Sequence, residues 1–423
     1  MKYNIALLHY SCPPVVGGVE EIIRQQASLL NRHYHNVKIF VGDGGIFSDN
    51  CEVEINPLLG SRSRQILNAH QLSYEGEHEK LEGLSRKIYK YLVKSLKDFD
   101  VLIAHNVLTM PFNLPFTAAL HRMGQECRMP IISWNHDSPY FYPDSPEYLD
   151  LFPWNILKRT YAGIHYVAIS ESRKKMFARL YGTRKHLHVI PNGIDPIRFF
   201  RLNPNTVRFI QEQRIFESEF LMVQPSRLLP RKNIELSIRV TRALHDLGVK
   251  ARLLITGAYD PHAPKSLEYY RKLKNLSREL GVENDVFIMA EYVFESGKSL
   301  SMDRSIIRDL YLISDILFMP SLQEGFGIPL LEAGMIKLPV VCSNIPPFME
   351  IGGREVCTFD LNDPPEKIAR KTLGFVGKLK PSRMFRNVIR NYAWDNIYHE
   401  KLMPLLTEVV GIHRNLGDWA FTP

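Results

Sequence analysis

Val189-Ile190-Pro191-Asn192-Gly193-Ile194-Asp195 is where one series of alternating strands and helices stops and a second begins, so it decides how this chain is read. Upstream, short apolar or β-branched runs at 3–9, 37–42, 101–105, 131–135, 165–169 and 188–190 predict strands, with helical periodicity near 19–31, 80–97, 111–124 and 171–181 between them. Downstream the pattern repeats, with strands at 219–224, 251–256, 286–289, 315–319 and 339–342 and helices near 233–247, 265–280, 303–312, 328–336 and 363–378. Strands alternating with helices of this length build doubly wound parallel sheets. The break makes two such α/β domains in tandem, 1–195 and 196–395, rather than one barrel. The amphipathic tail from Trp394 to about Leu416 predicts that a C-terminal helix, 396–423, packs back to complete the first domain. Two facing Rossmann-like domains of this kind place a cleft at the carboxyl ends of both sheets, where open α/β folds bind ligands.

Composition agrees with two globular domains: 423 residues, 45% hydrophobic and 23% charged, exclude disordered, collagen-like and coiled-coil classes. The net charge is +8, but the first 200 residues hold 23 basic and 19 acidic side chains and the rest 30 and 26, so neither part is a basic tail. Nucleic-acid binding has no support, since no recognised binding module accompanies this even spread. Five widely spaced cysteines, Cys12, Cys51, Cys127, Cys342 and Cys357, with no Cys-x-x-Cys pair, suit a reducing cytoplasm. The N-terminus reaches Pro13-Pro14 without a signal-peptide pattern, and no run approaches the ~18 apolar residues of a spanning helix.

Several motifs are missing. Gly42-Asp43-Gly44-Gly45-Ile46-Phe47 lacks the last glycine of a dinucleotide fingerprint, and Gly297-Lys298-Ser299 lacks the glycine of a phosphate loop, since Tyr292 stands there. No His-Glu-x-x-His or Gly-x-Ser-x-Gly occurs, which removes support for zinc hydrolases and nucleophile-elbow hydrolases.

Two loops carry chemistry. Pro320-Ser321-Leu322-Gln323-Glu324-Gly325-Phe326-Gly327-Ile328-Pro329-Leu330-Leu331-Glu332-Ala333 follows an apolar strand ending at Met319. Its glycines admit close backbone approach, Pro329 suits the first turn of a helix, and that helix N-terminus suits a diphosphate. Glu324 on the loop and Glu332 on the helix stand eight residues apart, on different levels. A carboxylate accepts two hydrogen bonds from a vicinal diol, so each is placed for a different ribose or pyranose. A capped surface helix with two solvated glutamates would leave the same pattern. The second loop, Gln224-Pro225-Ser226-Arg227-Leu228-Leu229-Pro230-Arg231-Lys232-Asn233, offers Arg227 and Lys232 to a leaving diphosphate, while Arg231 is expected to face solvent.

At these loops the chain resembles the retaining, nucleotide-sugar-dependent glycosyltransferases of family 4 (group 1), which have the GT-B architecture of two facing Rossmann-like domains. The Glu-x7-Glu pattern from Glu324 to Glu332 around Gly-Phe-Gly is the most specific mark, joined by Arg227, Lys232-Asn233, the turn 189–195 and Tyr311-Leu312-Ile313-Ser314-Asp315. Ser226 replaces the glycine often found before the arginine. The resemblance implies that Glu332 holds the donor ribose. It gives Glu324, with Gly325, Phe326, Gly327 and Ile328, the sugar hydroxyls, and Arg227 and Lys232 the diphosphate. Gly17 and Gly18 would let helix amides approach the donor phosphates or the acceptor, although a plain tight turn would also read Gly-Gly.

His136 is implied to contact the donor sugar, with Asp137 orienting its imidazole, and His136, Arg227, Lys232 and Glu324 form the implied catalytic set. Gly257 lies in the segment Thr256 to His262, where Tyr259 stands in place of a second glycine; Tyr292 and Val293 would hold the base through backbone atoms. His105 and Asn106 are expected to line the acceptor side.

No metal and no cofactor is expected. The co-substrate implied is a nucleoside diphosphate sugar, GDP- or UDP-linked with mannose or glucose as the hexose, and the acceptor a carbohydrate, a small polyol or a lipid-linked hydroxyl. Arg86, Lys87, Lys90, Lys94 and Lys97 share a helix with Leu84, Ile88, Tyr91, Leu92 and Leu96, which would suit peripheral contact with the inner face of an anionic membrane; a solvated face over an ordinary apolar stripe accounts for it equally. Rival readings are a sugar-nucleotide epimerase or a phosphorylase of the same shape, and a sugar-nucleotide-binding protein without turnover.

Overall fold

Val101–His105 and Ile131–Asn135 are buried at every residue, as strands of a parallel sheet covered on both faces must be. The computed structural model, which describes residues 1–47, 51–257 and 264–419, places them fourth and fifth among seven parallel strands. These are β1 (Asn4–Leu8), β2 (Asn36–Val41), β3 (Glu52–Ile55), β4 (Val101–His105), β5 (Ile131–Asn135), β6 (Ile164–Ala168) and β7 (Leu187–Val189), in the spatial order β3-β2-β1-β4-β5-β6-β7. Alternate residues of β1 feed opposite faces. Ala6 and Leu8 join the core beneath helices Glu79–Ser95 and Leu114–Gln125, whereas Ile5 and Leu7 join the core beneath helix Gly18–Arg32 and the C-terminal segment.

A second parallel sheet comprises β8 (Phe220–Gln224), β9 (Ala251–Ile255), β10 (Val286–Ile288), β11 (Ile316–Met319), β12 (Val340–Ser343) and β13 (Cys357–Phe359), in the order β10-β9-β8-β11-β12-β13. Both sheets are Rossmann-like: the order reverses beside the first strand, between β1 and β4 in one and between β8 and β11 in the other. β3, β13 and the helices Arg64–Tyr74, Pro204–Gln213 and Lys380–Tyr392 add to the expected elements. β3, Glu-Val-Glu-Ile, has no apolar run; an edge position beside β2, where Lys38 pairs with Glu54 at 2.9 Å, makes it a strand.

The chain divides into Met1–Ile194 with the residues from Trp394 onward, and Asp195–Ala393. Both crossings fall slightly earlier than the expected 195/196 and 395/396, for local reasons. Asp195 caps the next helix, accepting from Ile197 N at 3.0 Å, and the Trp394 indole is wholly buried in the first unit. The tail runs as Trp394–Ile397, a π-helical turn Tyr398–Leu402 and helix Met403–Trp419; the expected helix end at 420–423 lies outside the described residues.

No helix among the described residues is long and apolar enough to cross a membrane. In helix Glu79–Ser95, Leu84, Ile88 and Leu92 are buried in the core while Arg86, Lys87, Lys90 and Lys94 are exposed. Its apolar stripe is therefore committed to the core, and only the charged face remains for any surface.

Candidate functional site

In the second unit, the loops that carry Arg227, Lys232, Gly257 and Glu324 leave the carboxyl ends of β8, β9 and β11, beside the point where strand order reverses. Lys232 ends a tight turn, Pro230–Lys232. Its carbonyl accepts from Gln224 Nε2 at 2.9 Å, and Gln224 Oε1 in turn accepts from Ser237 Oγ at 2.6 Å. Gln224 is fully buried at the end of β8. Sequence reasoning assigned it no role, although a lone amide closing an apolar strand before a proline was the visible signal.

The Lys232 ammonium contacts the Glu324 carboxylate directly. Glu324 also accepts from Ser321 Oγ at 2.7 Å and lies 3.4 Å from Arg231 Nη1. Two side chains expected to hold different parts of a donor thus form one ion pair, 13% and 9% exposed. Arg231 is exposed, as expected, with its side chain 48% accessible, and its guanidinium also reaches the Glu324 loop. Arg227 is exposed. Its neighbour Ser226 accepts from Gly257 N at 3.0 Å, and a Cβ at position 257 would come within 2.2 Å of the Ser226 carbonyl oxygen. Gly257 is therefore required by backbone packing. Of the segment after it, Ala258 to His262 lie outside the described residues.

Gly327, at φ +114°, caps helix Ile328–Met335, and a side chain there would be both strained and within 3.1 Å of the Phe348 ring. Gly325, Phe326 and Ile328 are exposed around it. Glu332, on the next turn, accepts from the Tyr311 hydroxyl at 2.8 Å. Tyr292 turns its hydroxyl to Glu212 at 2.9 Å, and its peptide groups bond Met289 and Leu300. Those bonds oppose the expectation that Tyr292 offers its backbone to a base. Val293 pairs with Ser299 through bonds made by its neighbours, leaving its own N–H and C=O outside them.

In the first unit, Gly17 is the cap of helix Gly18–Arg32, and its loop follows β1. Ser11 donates to Glu20 at 2.6 Å beside it, and His9 Nε2 lies 3.9 Å from the same carboxylate. His136, after β5, is buried, and desolvation pushes its imidazole down to about 3, so it is neutral. Its bonds fix the tautomer. Trp134 Nε1 donates to Asn192 Oδ1 at 3.4 Å, which leaves Asn192 Nδ2 to donate to His136 Nδ1 at 3.2 Å. The His136 proton is then on Nε2, directed at His105 Nδ1 at 3.2 Å. Asn192 belongs to the turn with which the sequence is divided, and nothing local signalled that it reaches back to a strand end.

Asp137 does not orient His136, contrary to expectation. Its carboxylate accepts from Tyr142 Oη at 2.6 Å and pairs with Arg173 at 3.2 Å, both nearer the surface. His105 and Asn106, expected on the acceptor side, are buried. Asn106, at φ +58°, accepts on Oδ1 from the amides of His136 and Asp137 at 2.9 and 3.0 Å and from Thr109 Oγ1 at 3.1 Å. Asn106→Ala would orphan these three donors and is expected to cost about 1–3 kcal/mol. Asn106→Asp, which keeps the acceptor and tolerates positive φ, should recover most of it. Thermal melts of the two variants check this, and an alanine variant as stable as wild type would show that Oδ1 holds nothing.

Two Rossmann-like units, with a cation pair and a Glu-x7-Glu loop at the strand ends of the second, define a sugar-transferring class. Residues 206–376 match the family described as glycosyl transferases group 1, and residues 16–198 match glycosyltransferase family 4. The chain belongs to this glycosyltransferase family and is a transferase enzyme. It is 26% identical to an uncharacterized glycosyltransferase of Methanocaldococcus jannaschii, over 94% of this chain and 96% of that one. It is 24% identical to the mannosylglucosylglycerate synthase of Petrotoga mobilis, over 81% and 83% of the two chains. With the O-antigen chain mannosyltransferase of Salmonella typhimurium the identity is 26%, over 71% of this chain and 75% of that one. Among solved structures, a glycosyltransferase from Rickettsia africae aligns over 97% of this chain and 99% of its own, at 17% identity and a TM-score of 0.36.

Proposed function

We propose that the protein transfers a hexose from a nucleoside diphosphate sugar to an acceptor hydroxyl, with retention at the anomeric carbon and without a metal. The observation that carries this reading is the grouping of Arg227, Lys232, Glu324 and Glu332 on loops and a helix that follow β8 and β11. Arg227 and Lys232 serve the diphosphate, Glu324 the sugar hydroxyls and Glu332 the ribose. His136, held neutral, serves the sugar. The bond from the anomeric carbon to the phosphate oxygen breaks as the bond to the acceptor oxygen forms on the same face, and the acceptor proton passes to the departing phosphate. One of the relatives above is named for a mannosyl product and another for mannosyl transfer, which supports mannose as the hexose; the carrier we propose is GDP or UDP.

Thermal melts with UDP, GDP and ADP and their glucose and mannose conjugates test the reading. A ligand at about 100 times its Kd adds roughly 2.7 kcal/mol, so one base should raise the Tm clearly, and Glu332→Ala should abolish the rise. No rise with any of them would remove the donor assignment.

A further inference from the structure

We infer that Arg231 is a positioning residue for the donor sugar, one that keeps Glu324 neutralised and aimed when Lys232 leaves it for the diphosphate. The inference rests on the donor reading above. Arg231 and Lys232 are consecutive, yet they grip the Glu324 loop differently. Lys232 contributes only its ammonium, a point charge on a flexible stem. Arg231 is tied at both ends: its carbonyl accepts from Leu322 N at 2.8 Å, and its Nη1 donates to the Gln323 carbonyl at 3.2 Å while lying 3.4 Å from Glu324 Oε2. The loop itself is anchored from below, since the Ser321 carbonyl accepts from Ser343 Oγ at 2.6 Å and Ser321 Oγ donates to Glu324 Oε1 at 2.7 Å.

Charge dictates the rest. Glu324 shares two cations, Arg231 and Lys232. A diphosphate attracts Lys232, and a glutamate then left alone beside that anion would be repelled by it and would turn away from the sugar. Arg231 prevents this because its hold on the Gln323 carbonyl does not depend on Lys232. Ser321 adds a neutral donor that fixes one carboxylate oxygen and leaves further lone pairs for sugar hydroxyls. Arg231 therefore acts through Glu324, on the sugar and not on the nucleotide.

The test separates those two parts of the donor. Binding of UDP and GDP, and of UDP-glucose and GDP-mannose, is measured by calorimetry for wild type, Arg231→Ala and Arg231→Lys, together with kcat and KM for transfer or donor hydrolysis. Arg231→Ala should bind the free nucleoside diphosphate within about twofold of wild type while losing about tenfold in affinity for the nucleotide sugar and about tenfold in kcat. Arg231→Lys, which restores charge but not the planar fork, should fall between them. Equal losses for nucleotide and nucleotide sugar, or no loss for either, would overturn the inference, because Arg231 would then be a plain surface bridge or idle. If wild type binds none of the four ligands, the donor reading itself fails and the role of Arg231 falls with it. Retained nucleotide binding also shows that the alanine variant is folded, and the lysine variant carries the test if it is not.

Discussion

Lys232→Ala is expected to lower the rate constant for transfer by about 10²–10³-fold, the effect of removing one preorganised charge from a developing anion, about 2.7–4 kcal/mol. In a retaining transfer the charge appears on the phosphate oxygen as the anomeric bond breaks. Among the described residues, the cations on the β8 loop are Arg227, Arg231 and Lys232, of which Lys232 is the most enclosed, 13% exposed against 48% for Arg231. The bond from Gln224 to its carbonyl fixes the backbone from which the ammonium extends. Loss of the ammonium leaves Glu324 with Arg231 and Ser321 as partners, and folding should be unaffected. Initial rates at saturating donor give the rate constant, and calorimetry with the free nucleoside diphosphate gives binding. The rate should fall far more than the affinity. Turnover near the wild-type value would remove Lys232 from the mechanism.

Trp394→Ala is expected to cost about 3–5 kcal/mol, as for other fully buried aromatic side chains. At 2–4 °C per kcal/mol for a unit of this size, the melting temperature should fall by roughly 10 °C. The indole is wholly buried against Trp134, at 6.4 Å between ring centroids, and its Nε1 donates to Gln25 Oε1 at 2.6 Å. It opens the segment that closes one face of the first sheet. From there Tyr398 stacks on His33 at 3.8 Å and accepts from His35 at 2.7 Å, and Asp395 bonds His33 at 3.0 Å. Trp394→Phe loses the indole hydrogen bond but keeps most of the volume, so it should cost markedly less. A calorimetric scan in which Trp394→Ala melts with wild type would show that the tail adds nothing to the first unit.

Strand by strand, the parallel sheets were legible because their signal is local. β4 is an apolar run ending in His105, and β5 is apolar or aromatic but for Ser133 before it ends in Asn135; such runs can be satisfied only between two covered faces. β3 and β13 were not legible. Four residues with two glutamates, or three residues after a turn, acquire strand character only from a neighbour already in the sheet.

The candidate site divides along the same line. Glu324, Glu332, Arg227 and Lys232 stand out in the sequence because glycines, a proline and charged residues cluster where a strand ends, and backbone approach to a ligand demands that local chemistry. Which of them touch one another was decided only by the tertiary structure. Lys232 and Glu324 are 92 residues apart, and Asn192 and His136 are 56 apart. No periodicity carries information over such distances, because it is the packing of β8 beside β11, and of the turn after β7 beside the end of β5, that brings the partners together. The same holds for the tail. Its amphipathic period announced a helix seeking a core, whereas the fit of Trp394 among Gln25, Trp134 and the first sheet decided where that helix belongs.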